Sequence, residues 1–473
     1  MRPYNPYRPR RSRFGWLKWL LLLLVFAGSV VGVLMFFPQF ERTPPTIEAP
    51  QSSPWNPNVP IEVVLRDNRG IRSYEAVLTN GTENIPVAAN RFAIPPKEIK
   101  LTFPLAPKTY ARIKNQAWKL LIQAQDTSYW NRLIDNSAVA AINIITDTQP
   151  PRIKLLAKSK TIARGGSALV IFRVEDISLK SVYVEAGGQK FYPNPYRHAP
   201  YYATLIAWPF RQKHLNATIV ATDKAGNKST EKLAFAVVYK KYKTSWIRAT
   251  DRFINGRITE VARSDPHAAG IADPIQRFRA VNETMRLDNE KQIHTLARAA
   301  LDREPIRRWR VHAFYPLKGA KLVADFGDER HYYYRNPKKE ISRSYHVGYD
   351  LASVRHAPIR ASNGGRVLFA GHNGIYGKMP LIDHGFGLVT LYGHCSQLLV
   401  SKGDTVAPGE MIARTGKTGL ALGDHLHFGV LVHGIEVWPM DWMKENWIKK
   451  NINRIFEQAD KIIDRAEPKG SAR

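Results

Sequence analysis

Gly423-Asp424-His425-Leu426-His427-Phe428-Gly429-Val430 sets two histidines two positions apart in an alternating run. On a strand, residues i and i+2 share a face and stand about 7 Å apart along it. The spacing predicts a strand with both imidazoles on one side and Leu426, Phe428 and Val430 packed on the other. The surrounding stretch from Gly364 to Val432 is strand-like and punctuated by glycine. It predicts an antiparallel β domain.

Ten of the 14 histidines fall between His312 and His433. Clustering alone is weak evidence, and spacing strengthens it. Tyr345-His346-Val347-Gly348-Tyr349-Asp350 puts an imidazole and a carboxylate four apart. That separation shares a face on a strand or on a helix. Leu391-Tyr392-Gly393-His394-Cys395-Ser396 adds an imidazole where the strand-like run Leu388 to Leu391 ends. Two histidines and one aspartate can hold zinc with the fourth position left for water. Zinc lowers the pKa of that water to roughly 7 and polarises a carbonyl. The remaining histidines can then act as base or electrostatic stabiliser. A non-haem iron oxygenase also uses two histidines and a carboxylate, but usually as an H-x-D pair, which this pattern fits poorly.

From about His312 to Trp442 the chain resembles the M23 family of peptidoglycan metallopeptidases, the lysostaphin and LytM-like enzymes. The resemblance rests on His346-x-Gly348-x-Asp350, Ile382-Asp383-His384-Gly385 and the run Gly387 to His394. It continues through Gly403-Asp404-x-Val406-x-x-Gly409, Thr415-Gly416-x-Thr418-Gly419 and His425-Leu426-His427-Phe428. It implies a groove-bearing β-sheet with zinc (Zn2+) on its floor. It makes His346, Asp350 and His427 the metal ligands, and His394 and His425 the catalytic pair that positions water and stabilises the oxyanion. Many family members have proline and leucine where this chain has Asp424 and Cys395, and neither departure removes a ligand. His356, His372, His384 and His433 are expected to be structural. The implied activity is endopeptidase cleavage of peptidoglycan crosslinks, glycyl or D-amino-acid in kind. The alternative is a non-catalytic LytM-like regulator that activates another wall hydrolase. Such regulators typically lose ligands, and all five expected residues are present.

The rest of the 473 residues call for about three or four domains. A hydrophobic share of 44% argues against general disorder. The net charge of +30 favours polyanions: nucleic acid, anionic lipid or acidic wall polymers. No helix-turn-helix, zinc-finger or RNA-sheet signature accompanies it, so no nucleic-acid partner is expected. One cysteine, Cys395, allows no internal disulfide and leaves the redox compartment undecided.

Trp19 to Phe37 carries no charge, and Arg2, Arg8, Arg10, Arg11, Arg13 and Lys18 precede it. Those features predict a single inner-membrane anchor, with a cytoplasmic basic arm over 1–14 and a transmembrane helix over 15–37. Met35-Phe36-Phe37-Pro38 is a poor cleavage site for the rival signal peptide. The rest would lie outside, in the periplasm.

Pro44-Pro45-Thr46-Ile47 and Pro150-Pro151-Arg152-Ile153 open a weak repeat about 100 residues long. It predicts two immunoglobulin-like β-sandwich modules, 43–147 and 148–243, with half-buried strands such as Ile61 to Leu65 and Ala168 to Val174. They would serve as a spacer or as an arm for a cell-wall protein partner. Residues 246–308 read as a helical connector, also a candidate lid over the groove, with Asp273-Pro274 as a capped helix start. The zinc peptidase domain is placed at 309–447, followed by a basic, helical tail over 448–473. The fold class is thus multidomain and mainly β, with a C-terminal antiparallel β metallopeptidase domain.

Overall fold

The computed structural model describes residues 15–36, 42–55, 59–113, 117–128, 135–301, 305–307 and 309–466. The expected basic arm at 1–14 lies outside them. Gly15–Phe36 is one α-helix of 22 residues. Its described side chains stop at Gly32. Among the described residues no helix is long and apolar enough to cross a membrane. Two compact units follow from the packing, 1–149 with 224–227, and 150–223 with 228–473.

In the first unit, Thr46–Glu48, Ile61–Arg66 and Glu98–Phe103 form a three-stranded sheet. Ser52–Pro54, Ser137–Ile145, Trp118–Gln125, Ser73–Thr79 and Asn84–Arg91 form a five-stranded one, in that order. Trp118–Gln125 alternates buried and exposed positions because one face meets the shared core of Val63, Leu65, Phe103, Trp118, Leu120 and Ile122.

In the second unit, Arg152–Lys158, Ser167–Glu175 and Tyr201–Ala207 pair antiparallel. Ala168 to Val174 is buried on both faces rather than half-buried, apart from the partly exposed Arg173. The cause lies far away in the chain. The C-terminal helix Arg454–Ala466 packs against this sheet through Ile455, Phe456, Ala459 and Ile463. Ser159 Oγ donates to the Asn451 carbonyl at 2.8 Å, and Tyr196 to Asp460 at 2.7 Å. A strand covered on both sides needs a continuous apolar run, which Ala168-Leu169-Val170-Ile171-Phe172 supplies.

The catalytic-type sheet has seven principal strands: β1 (Lys321–Ala324), β2 (Tyr349–Ala352), β3 (Gly365–His372), β4 (Lys378–Asp383), β5 (Leu388–Gly393), β6 (Thr405–Val406) and β7 (Leu426–Val432). Their spatial order is β1-β2-β7-β5-β4-β3-β6, and every neighbouring pair is antiparallel. β7 is central and buried throughout, so its two faces do not divide into wet and dry.

The segment expected as a connector opens with a strand. Thr244–Arg248 pairs in parallel with Asp328–Tyr333, which pairs antiparallel with Glu340–His346. Trp246 stacks on His331 at 4.8 Å. The helical stretches after it, from Phe253–Ile258 to Arg286–Ala299, share a core with the sheet. Ile254, Ile258, Phe278, Val281, Met285 and Ile293 meet Met379, Leu381, Val389, Leu391 and Leu431. Asp273 accepts from the Gln276 amide at 2.7 Å, the cap its sequence predicts.

Candidate active site

β-Register brings the site together. On one side of β7, Asp350 is the cross-strand partner of His427, and on the other Gly393 is. His394 follows Gly393 directly, turning out of β5 at φ +65°. Few non-glycine residues adopt that conformation. His346 ends a strand of the neighbouring sheet, and Val347-Gly348 turns the chain into β2. His346 and Asp350 therefore share neither a strand face nor a helix face. A sharp turn between two sheets joins them. Gly348 is required by close approach: a Cβ there would lie 2.5 Å from His427 Nε2 and 2.8 Å from the Phe428 carbonyl oxygen.

Three atoms converge. His346 Nε2 lies 2.9 Å from Asp350 Oδ1 and 3.1 Å from His427 Nδ1, and His427 Nδ1 lies 2.9 Å from Asp350 Oδ1. Zinc donors at about 2.0–2.2 Å around a tetrahedral centre stand roughly 3.3–3.5 Å apart. The trio is slightly tighter than that and otherwise fits. His346 Nδ1 lies 2.8 Å from the Asp325 carbonyl. If it donates there, as the acceptor-only carbonyl requires, Nε2 presents a lone pair to its two neighbours.

Electrostatics agree with a cation-binding trio. Burial pushes His427 down to about 4. Burial would raise the Asp350 carboxyl, but His346, His425 and His427 together hold it well below its usual range. Near neutral pH the site thus has an ionised carboxylate and a neutral His427, the forms that bind metal.

His394 and His425 lie beside this trio with ring centroids 4.8 Å apart. His394 Nδ1 is 2.8 Å from the Thr418 carbonyl. Burial, reinforced by His425 and His427, lowers its pKa to about 3. His425 Nε2 is 3.5 Å from Asp350 Oδ1. Burial would lower His425, but its bond to Asp350 raises it overall. The two histidines therefore differ in proton affinity while sharing one edge of the site. All five residues line a cleft of about 980 Å³.

The other histidines stand apart from the five. His384 bonds the Gly364 carbonyl and Thr390 Oγ1, at 2.8 and 2.7 Å. His433 faces Thr204 at 3.5 Å, and His356 bonds Ser396 at 3.0 Å. His372 is exposed at the end of β3. Asp424 accepts from Thr415 Oγ1 at 2.6 Å and the His356 amide at 3.3 Å, so it braces the loop before β7. Cys395 is buried, and burial pushes its thiol up to about 12, far from a thiolate ligand.

Sequence spacing gave no sign of Arg330, whose Nη2 lies 3.9 Å from Asp350 Oδ2, or of Asp325 behind His346. Both reach the site from outside any short motif. Tyr376, buried with its ring 5.4 Å from that of His427, was also unmarked.

Residues 344–439 match peptidase family M23, and the chain carries an M23 peptidase domain. The DD-carboxypeptidase/endopeptidase Mpg of Neisseria meningitidis is 39% identical over 125 residues, 26% of this chain and 27% of that protein. The peptidoglycan DD-endopeptidase ShyA of Vibrio cholerae is 36% identical over 101 residues, 21% of this chain and 23% of that protein. The chain thus spans about a quarter of the length of these curated relatives. A putative M23 peptidase of Pseudomonas aeruginosa aligns in structure at 18% identity and a TM-score of 0.37, covering 59% of this chain and 94% of that one.

Proposed function

We propose that this protein is a zinc-dependent endopeptidase that hydrolyses peptide crosslinks of bacterial peptidoglycan. The observation that carries the reading is the convergence of His346, Asp350 and His427, with His394 and His425 on one edge, inside an M23 domain. Similarity to relatives named peptidoglycan DD-endopeptidases supports the substrate class.

Zinc held by His346, Asp350 and His427 would supply Lewis-acid activation of a water and of the scissile carbonyl. His394, neutral and tied through Nδ1 to Thr418, offers Nε2 as a proton acceptor for the attacking water. His425, its pKa raised beside Asp350, offers a proton or a hydrogen bond to the developing oxyanion. The chain's own groups thus divide acceptance and donation between two adjacent imidazoles.

The test is digestion of purified wall by the zinc-loaded chain, with mass analysis of the products. Peptides freed at a crosslink are expected. His425→Ala should keep about one zinc per chain yet lose roughly a hundredfold or more in kcat. A folded, zinc-loaded chain that leaves wall intact but stimulates another hydrolase would replace this reading with the regulatory one.

We further propose that the protein is held in the cytoplasmic membrane by Gly15–Phe36, with the peptidase domain outside and the β modules as an immunoglobulin-like spacer or partner-binding arm. The support is in the sequence: Trp19 to Phe37 carries no charge and follows six basic residues. Protease added to spheroplasts should digest the chain beyond residue 42. Complete protection with sealed membranes would reverse the topology.

A further inference from the structure

The cleft is lined by a surplus of cationic side chains, which binding a zinc ion does not call for. Arg248, Arg252, Arg257, Arg286, Arg330 and Lys417 line it, against Glu260, Asp350 and Asp424. Three of the arginines are already engaged. Arg257 donates to Glu260 at 2.8 Å, and Arg286 donates to the carbonyl and side chain of Asn282, both at 3.1 Å. Arg330 bonds Asp328 at 3.3 Å and faces Asp350. Arg248 and Arg252 are exposed and form no ion pair among the described residues.

These two arginines sit at the end of the strand Thr244–Arg248 and just before the helical stretch Phe253–Ile258. Both elements lie outside the stretch that matches the M23 family. They are anchored by the buried Ala249 and Ile254, so their backbone is fixed relative to the sheet. A guanidinium presents a planar fork of donors that matches a carboxylate, and a pair of them at the edge of a cleft attracts anionic ligands. A glycine chain has no side-chain charge to offer them.

We infer that Arg248 and Arg252 bind a free carboxylate of the substrate peptide, so that the cleft selects acidic stem peptides over neutral glycine bridges. The inference rests on the peptidase reading above. It narrows that reading to crosslinks flanked by carboxylates, and it makes the segment before the M23 domain part of substrate selection.

The test uses the zinc-loaded full chain and two probes. One is a wall stem tetrapeptide with free carboxylates, and the other is the same peptide with every carboxylate amidated. Binding is measured by titration calorimetry at low salt, where charge attraction is least screened. The free acid should bind at least about tenfold more tightly. In the Arg248→Gln/Arg252→Gln double variant that gap should shrink to less than about threefold. Zinc content and affinity for the amidated peptide should stay as in the parent. Equal affinities in the parent, or a gap that survives in the variant, overturns the inference. Cleavage of a crosslinked dimer is followed on the same samples. A binding gap without cleavage counts against the endopeptidase reaction and leaves the carboxylate site standing. Cleavage without a gap removes the carboxylate site and leaves the reaction.

Discussion

His346→Ala should lose zinc and hydrolysis together while the domain stays folded. The parent is expected to carry about one zinc per chain, and the variant close to none under the same dialysis. Two features make the effect large. His346 is one of the three donors that converge among the described residues, so its loss leaves two of that group. It is also the donor held from behind, through Nδ1 to the Asp325 carbonyl, so its Nε2 is oriented toward Asp350 and His427 before any metal arrives. Hydrolysis should fall by three orders of magnitude or more, roughly the scale on which metal activation of water operates. Metal analysis and circular dichroism on one preparation decide the matter. A folded variant that binds zinc as tightly as the parent would break the ligand assignment.

The second large effect concerns the helical segment. A fragment beginning near Arg310 should fail to fold cooperatively, rather than digest wall faster as removal of a lid would predict. Met379, Leu381, Val389, Leu391 and Leu431 are at most 3% exposed, and the segment before residue 300 completes the core around them. Full exposure of a side chain of this size costs about 1.5–3 kcal/mol, so five cost roughly 7–15 kcal/mol. That is about the whole net stability of an ordinary domain, near 5–15 kcal/mol. The fragment would also lose Thr244–Arg248, the parallel partner of Asp328–Tyr333. Thermal melting with a solubility measurement is the check. A soluble fragment with a sharp transition, one zinc and faster wall digestion would restore the lid.

Much of the site could be read from spacing because the chemistry sits in short motifs. His427 lies on β7, and His394 follows directly on β5. His425 stands just before β7, in a lone bridge to Gly416, rather than on the strand as the spacing predicts. The local geometry of His346 and Asp350 could not be read in the same way. Their four-residue separation fits a strand or a helix, and the structure uses a turn whose Gly348 makes room for His427. Period alone does not reveal a demand made by a side chain 79 positions away (427 minus 348).

Packing between distant segments was the other obscure part. Trp246 read as the start of a helical region, yet the residues around it form a strand because Asp328–Tyr333 offers an edge. The buried strand Ser167–Glu175 read as half-exposed because the helix that covers it comes much later in the chain. The apolar run at Ala168 to Phe172 did carry a signal, since two-sided burial is what an uninterrupted run of that length implies.

That late helix has a consequence for the order of events in the cell. Ser159 and Asn451, which hydrogen-bond, are 292 positions apart. Closing so long a loop carries an entropic cost of about 5 kcal/mol beyond its constant part. At about 5–20 residues per second, the ribosome needs roughly 15–60 seconds to make the intervening chain. Through that interval the outer face of Ser167–Glu175 has no cover from residues 454–466, which do not yet exist. The unit that contains the peptidase domain can therefore complete its packing only after synthesis has passed the helix Arg454–Ala466, the last described element of the chain.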